Sequence, residues 1–289
     1  MRTLTTLACL VLVAACGGDG GSSQATTPPI STPPSGATRI GDIQGTGNIS
    51  PMEGQRVTVS GIVTGDFQEN DADTRRNLGG FYMQDGPPDA NPQTSDGIFV
   101  FDGNVPATDI DVGDVVEVQG TIVEHFGETQ INANSVRVSG TGALIPFPIN
   151  LPANDTTTNS DGDLIADLEH LEGMLVTFTD MLTVTNLRNL ERFGTVTLSE
   201  GGRLYQYTNY TSPDIDGYNA HKNLVARRSI VLDDGLRAEN PPDIHYLDAG
   251  NAAGYSIRAG DSLADLTGNL RYSRGAGGNG DETWRLMPT

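Results

Sequence analysis

The sequence predicts an all-β protein made of two small closed barrels in tandem behind a disordered N-terminal tether. Three observations carry that prediction. First, one turn-plus-strand phrase recurs: EGQRVTVSGI from Glu53, DVGDVVEVQGTI from Asp111, EGMLVTFTDML from Glu172 and AGDSLADLTGNL from Ala259. In its clearest copy Val116, Val118, Gly120 and Ile122 alternate with Glu117, Gln119 and Thr121, the period of two of a strand with one face in a core and one in water. Second, the chain holds 36 glycines and no long segment of helical period, a strand-and-turn composition. Third, 289 residues are enough for two domains at roughly 150 residues each. The turn glycines Gly54, Gly113, Gly173 and Gly260 are too unevenly spaced for a solenoid and suit two domains that each use the strand twice.

Taken in order, residues 1–15 read as a signal peptide, with Arg2 as the charged start and Leu4–Ala15 as an apolar run too short for a permanent span. Val13-Ala14-Ala15-Cys16 is similar to a bacterial lipobox, which makes Cys16 the lipidated mature N-terminus and the protein an exported, membrane-anchored lipoprotein of the cell envelope. Residues 16–37 are rich in Gly, Ser, Thr and Pro, cannot bury a core, and read as a disordered tether. Cys9 and Cys16 are the two cysteines, so no disulfide is expected inside the folded domains.

The first domain, residues 38–147, offers strands at Arg56–Asp66, Gly80–Asp85, Gly97–Phe101, Asp114–Val123 and Ser135–Ser139, with Thr129–Ile131 running back after a turn at Gly127. Gly120 in mid-strand marks a bend of the kind found at barrel corners. Five strands with a bent first strand suit an OB-like barrel. Phe81 and Tyr82 point to opposite faces, which puts one of them in the core.

The second domain, residues 148–289, opens with a short helix expected over Asp163–Glu172, where Leu164, Leu168 and Leu171 have helical spacing. Strands are expected from Met174, then at Arg192–Leu198, Arg203–Asn209, Ser229–Leu232, Asp261–Tyr272 and Thr283–Met287, broken by a polar loop at Leu236–Tyr255.

The runs IGDIQGTGNISPMEGQRVTVSGIVTGDF, GGFYMQD, SDGIFVF, VGDVVEVQGTIVEHFGETQI, LEGMLVTF, LTVTNLRNLERFGTVTLS, RLYQYTN and IVLDDG, in this order over residues 38–289, resemble the non-catalytic OB-fold region of ExeM/NucH-type extracellular bacterial endonucleases. The resemblance implies an accessory region next to an endonuclease/exonuclease/phosphatase domain. In that family the catalyst is metal-dependent and follows the segment matching Trp284–Thr289, where this sequence stops. The chain is therefore expected to be non-catalytic by itself, as a gene without the enzyme domain or a truncated endonuclease. His125, His170, His221 and His245 form no part of such a site, and there is no Gly-x-Ser-x-Gly elbow.

Nucleic-acid binding is the use such barrels suggest, with aromatic side chains stacking bases and cations following phosphates. The candidates are Arg188, Arg192, Arg203, Tyr205, Tyr207, Arg227 and Arg228, with Tyr210 nearby; Arg203, Tyr205 and Tyr207 at i, i+2 and i+4 share one face of a strand. The expected partner is extracellular DNA or RNA, together with a separate nuclease domain. A formal net charge of −20 opposes the electrostatic term that usually dominates such binding. The alternative is a calcium-dependent scaffold or a polysaccharide-binding lipoprotein. Asp161, Asp163 and Asp167 lie in an oxygen-rich turn suited to calcium, although placing Gly162 at the fixed glycine of an EF-hand puts Leu168 where the last ligand belongs. A solvated turn capping the next element is the competing account of the same residues.

Overall fold

A computed structural model describes residues 36–68, 76–247, 257–278 and 280–289. Cys16 and nearly all of the signal and tether segments lie outside the described residues. The described residues are mostly β-sheet, in two curled sheets and one small two-stranded sheet, with three short α-helices among them. None of its helices is long and apolar enough to cross a membrane among the described residues.

The first sheet is a closed barrel of β1 (Arg56–Phe67), β2 (Gly80–Gln84), β3 (Gly97–Phe101), β4 (Asp114–His125) and β5 (Glu128–Thr141) in the order β1-β2-β3-β5-β4. β3 and β5 pair in parallel and every other neighbour is antiparallel. The alternation in β4 places Val116, Val118 and Ile122 in the core. Gly120 sits where the β4–β5 register shifts; a Cβ there would meet Ile131 Cγ2 at 2.4 Å, so only glycine lets the strand bend this closely. The two expected pieces after Gly127 form the single strand β5. Ile40 and Ile43, from a short helix α1 (Ile40–Gln44) not foreseen from the sequence, are fully buried in the same core.

The second sheet differs from expectation in size. Eight strands take the place of the six expected: β6 (Phe147–Ile149), β9 (Leu175–Phe178), β10 (Leu182–Asn186), β11 (Thr195–Ser199), β12 (Ser229–Asp233), β13 (Ser262–Leu263), β14 (Thr267–Ser273) and β15 (Thr283–Pro288), in the order β13-β10-β11-β12-β15-β14-β9-β6. Its core holds Val176, Phe178, Leu198, Leu270, Trp284 and Leu286. A separate hairpin pairs β7 (Thr156–Thr158) with β8 (Leu164–Ala166).

The four turn glycines all take positive φ, 77° at Gly54, 97° at Gly113, 73° at Gly173 and 103° at Gly260, the conformation that favours glycine. In the barrel the strands they introduce, β1 and β4, are hydrogen-bonded neighbours. In the second sheet β9 pairs with β14. The fourth copy is split, because Asp265 at φ 54° breaks it into β13 and β14.

Three local expectations fail. Asp163–Glu172 is not a helix: it is β8 followed by one 3₁₀ turn at Glu169–Leu171, because the side chain of Asn159 accepts the amides of Asp161 and Asp163 and closes a hairpin. Arg192 and Phe193 end a helical turn α2 (Leu190–Phe193), stopped by Gly194 in the left-handed region, and only then does β11 begin. Arg203–Asn209 is not a strand. Gly201 and Gly202 at φ 67° and 94° turn the chain off the end of β11, and the segment runs without a strand partner into a 3₁₀ turn at Tyr207–Asn209.

Phe81 and Tyr82 are both buried, on opposite sides of β2. Phe81 belongs to the barrel core, whereas Tyr82 packs with Phe67, Phe99 and Met287 of the second sheet. The outer face of β2–β3 is thus covered by the second sheet rather than by water. Glycines bring the two units close: a Cβ on Gly97 would meet the backbone of Gly173 and Met174 at 2.4 Å.

Candidate functional site: a tyrosine-lined groove

After the Gly201-Gly202 turn the chain needs an anchor, and Leu204 supplies it by donating its amide to Thr185 Oγ1 of β10 at 2.8 Å. Beyond the 3₁₀ turn, Pro213 and Asp214 start α3 (Ile215–Arg227), whose N-cap Asp214 accepts the amide of Gly217 at 2.6 Å. The helix leans on the β7–β8 hairpin, where Asn223 donates to Thr156 Oγ1. Between the 204–208 segment, α3 and β8 lies a groove of about 850 Å³, within the size range of ligand sites.

The groove is aromatic along its walls. Tyr205, Tyr207, Tyr218 and His221 line it. Tyr205 meets Tyr210 edge-on at 5.4 Å between ring centroids, and Tyr207 meets Tyr218 at 6.3 Å and His221 at 5.7 Å. His221 Nε2 donates to the carbonyl of Tyr205 at 2.9 Å, which ties the segment to the helix. Tyr205, Tyr210 and Tyr218 are exposed, with Tyr210 at 72%. Large exposed rings grouped on one surface mark a binding face more often than singly scattered ones. Two cations flank the rings. The guanidinium of Arg203 lies 5.4 Å from the centre of Tyr205, and Lys222 Nζ lies 5.1 Å from the centre of Tyr218. Asp163 supplies a carboxylate to the same lining.

The predicted cation cluster does not assemble. Arg203, Tyr205 and Tyr207 come together, although not on a strand. Arg227 donates Nε to the carbonyl of Ala153, and Arg228 donates to the carbonyl of Glu200 and pairs with its carboxylate at 3.3 Å, so both are spent on holding α3 to its neighbours. Arg192 stacks on Phe193 and pairs with Glu239 at 2.9 Å. Arg188 is exposed beyond β10 and does not line the groove. Tyr218, His221 and Lys222 were missed because they belong to α3, whose start signal was there to be read in Pro213-Asp214 with Asp216 in the first turn.

The acidic turn has other partners in the structure. Both carboxylate oxygens of Asp161 accept from Arg274 at 2.9 Å, and this pairing holds the Asp161 carboxyl below its ordinary range. Asp163 is engaged through its backbone, with its amide to Asn159 Oδ1 and its carbonyl to the amide of Asn159. Asp167 donates its amide to the carbonyl of Asp155. Among the described residues, no three carboxylate, histidine or cysteine side chains are grouped to hold a metal ion. The turn is organised by an asparagine and an arginine.

Neither a scan against models of known protein families nor a search of curated proteins finds a match for this chain.

Proposed function

We propose that the protein is a non-catalytic binding module that holds extracellular single-stranded DNA or RNA in the tyrosine-lined groove. It would act as the accessory region of an extracellular nuclease and be carried on the cell envelope by a lipid at Cys16. The observation that carries this reading is the grouping of Tyr205, Tyr207, Tyr210 and Tyr218 with Arg203 and Lys222 around one groove. Base–aromatic stacking contributes about 1–3 kcal/mol per base and tolerates any sequence. Two cations give few phosphate contacts, so stacking would supply most of the affinity and the salt slope would be shallow, near −0.7 per neutralised phosphate on a single strand.

A second reading has its own support. Asp163 lines the same groove as the neutral side chains of Asn186, Gln206 and Thr208. Rings backed by neutral and acidic hydrogen-bonding groups suit the hydroxyls of an oligosaccharide, whose stacking needs no cation.

Fluorescence anisotropy of the full chain with labelled single-stranded DNA and RNA, at low and physiological salt, tests the first reading. Binding is expected to weaken with salt and to drop at least tenfold in the Arg203→Ala plus Tyr205→Ala double variant. A chain that binds neither strand, or binds both equally after the double substitution, refutes it. Salt-independent capture of a glycan by the same residues would establish the second.

A further inference from the structure

A second concave site lies away from the tyrosine groove, where the barrel meets the second sheet. It is a cleft of about 620 Å³. Its barrel wall carries Phe99 and Phe101 from β3 and Phe126 from the β4–β5 turn, and its opposite wall carries Arg271, Arg274 and Arg237. The chain has 17 basic residues in all, so three arginines on one wall is a local concentration of donors in an acidic protein. Arg271 lies 5.5 Å over Phe99 and Arg237 lies 5.9 Å over Phe101, which leaves the cleft with an aromatic side and a guanidinium side.

Phe126 is the unusual feature. It and Gly127 link β4 to β5 as a two-residue hairpin, with His125 paired to Glu128 and φ of 54° and 82° at the two linking positions. Positive φ at both positions is the pattern of a type I′ turn, for which Asn-Gly is the preferred pair. A phenylalanine in the left-handed region is disfavoured by sterics and costs stability. Burial does not offset that cost, because the ring is 65% exposed. The turn therefore carries an aromatic side chain at the mouth of the cleft where asparagine would fold better.

The donors facing it are not all used. Arg271 holds Glu128 through Nε and Nη2, and Arg274 holds Ser160, Asp161 and Glu282 through Nη1 and Nη2. The hydrogen bonds and ion pairs of Arg271 and Arg274 with the described residues use neither Arg271 Nη1 nor Arg274 Nε. Since both guanidiniums are already fixed by carboxylates, they present those donors in set positions.

We infer that this cleft is a second binding site, distinct from the tyrosine groove, for a small anion that carries a planar ring and is no larger than a mononucleotide. The ring would stack on Phe126, and the oxyanion would accept from Arg271 and Arg274. The site exists only while the barrel and the second sheet are docked.

Isothermal titration of the full chain with adenosine 5′-monophosphate, 4-hydroxybenzoate, adenosine and inorganic phosphate tests this. At least one of the two ring-bearing anions should bind with one-to-one stoichiometry, and which one does distinguishes a phosphate ligand from a carboxylate ligand. Adenosine and inorganic phosphate should each bind at least tenfold more weakly. Phe126→Asn should lower the affinity about tenfold or more while leaving the thermal midpoint unchanged or raised, and Phe126→Tyr should keep binding. Tyr205→Ala should leave it unaltered, which separates failure of this site from failure of the groove. The inference is overturned if neither anion binds, if adenosine or phosphate alone binds as tightly, or if Phe126→Asn binds as well as the original chain.

Discussion

Glu172 is where burial and charge conflict most sharply, and replacing it with glutamine should stabilise the protein at alkaline pH. Its side chain is 1% exposed at the contact between the units. Oε1 accepts the amide of Thr129 at 2.9 Å, while Oε2 has no hydrogen-bond partner. Burial pushes its carboxyl well above the usual range, and Glu169, Glu128 and Glu124 push it further. Asp167 adds its negative charge beside Glu169, whose own carboxyl is raised to about 7, chiefly by burial. Arg271 is committed to Glu128 at 3.1 Å, and His125 interacts with Glu128 as well. A carboxyl raised in the folded state binds its proton more tightly there than in the unfolded chain. Its stabilising contribution is complete below the unfolded value and is lost as pH rises through the folded one. Within that window each such group removes up to about 1.4 kcal/mol per pH unit. Glutamine keeps the acceptor for Thr129 and carries no charge. For a protein of this size 1 kcal/mol moves the midpoint by roughly 2–4 °C. Thermal scans should therefore show Glu172→Gln melting close to the original chain at pH 5 and several degrees above it at pH 8. A variant that melts below the original chain at pH 8, or that keeps its full pH slope, refutes the assignment of the strain to this carboxyl.

Other substitutions probe the same molecule elsewhere. Gly217→Ala places a Cβ 2.0 Å from the hydroxyl of Tyr207. Because alanine is the better helix former by up to about 1 kcal/mol, stability by chemical denaturation should hold while groove binding by anisotropy falls. Gly97→Ala drives a Cβ into the backbone of Gly173 and Met174 at 2.4 Å, so the thermal midpoint should fall by roughly 2–12 °C, as expected of an overpacked contact worth about 1–3 kcal/mol. Arg285→Met removes the partner of Asp233, 3.0 Å away with both side chains 4% exposed. It leaves that carboxylate beside Asp234, whose carboxyl is raised to about 8 mainly by burial, and denaturant unfolding should show a loss of about 3–5 kcal/mol. Chelator should leave the thermal midpoint unchanged, since Asp161 is held by Arg274; a fall that calcium restores would return the acidic turn to the metal account.

The barrel was legible because its information is local. Alternation in β4, the turn glycines and the bend at Gly120 are each readable within a dozen residues, and each has the geometry expected of it. The second unit was less legible for a physical reason. Leu164, Leu168 and Leu171 have helical spacing, yet Asn159 offers the backbone a hairpin, and Leu164 ends up exposed at 38%. Ile215–Arg227 has the opposite character: only Ala226 of the helix is buried, so no apolar stripe announced it and only its cap did. The candidate site was half legible. Tyrosines at 205 and 207 do lie on one groove, but spacing alone could not show that Arg227 and Arg228 spend their donors on the carbonyls of Ala153 and Glu200.

The contact between the units follows from the same local features. Tyr82 is alternation's second aromatic face, and a barrel standing alone would leave it in water. Here it is fully buried and donates its hydroxyl to Glu128 at 2.7 Å, while Arg271 of the second sheet neutralises that carboxylate. Asn269 Nδ2 reaches Thr64 Oγ1 at 2.8 Å, and Ser95 donates to the carbonyl of Glu172. The buried tyrosine and glutamate of the barrel and the partly exposed arginine of the second sheet are tolerable only together, because Tyr82 and Glu128 would otherwise be left as buried polar groups without the neutralising partner. Separating the units would therefore cost both folds, and Arg271→Leu should loosen the barrel as well as the sheet. Hydrogen exchange should then rise in β2 and β3 along with β14; faster exchange in β14 alone would show that the barrel stands without its neighbour.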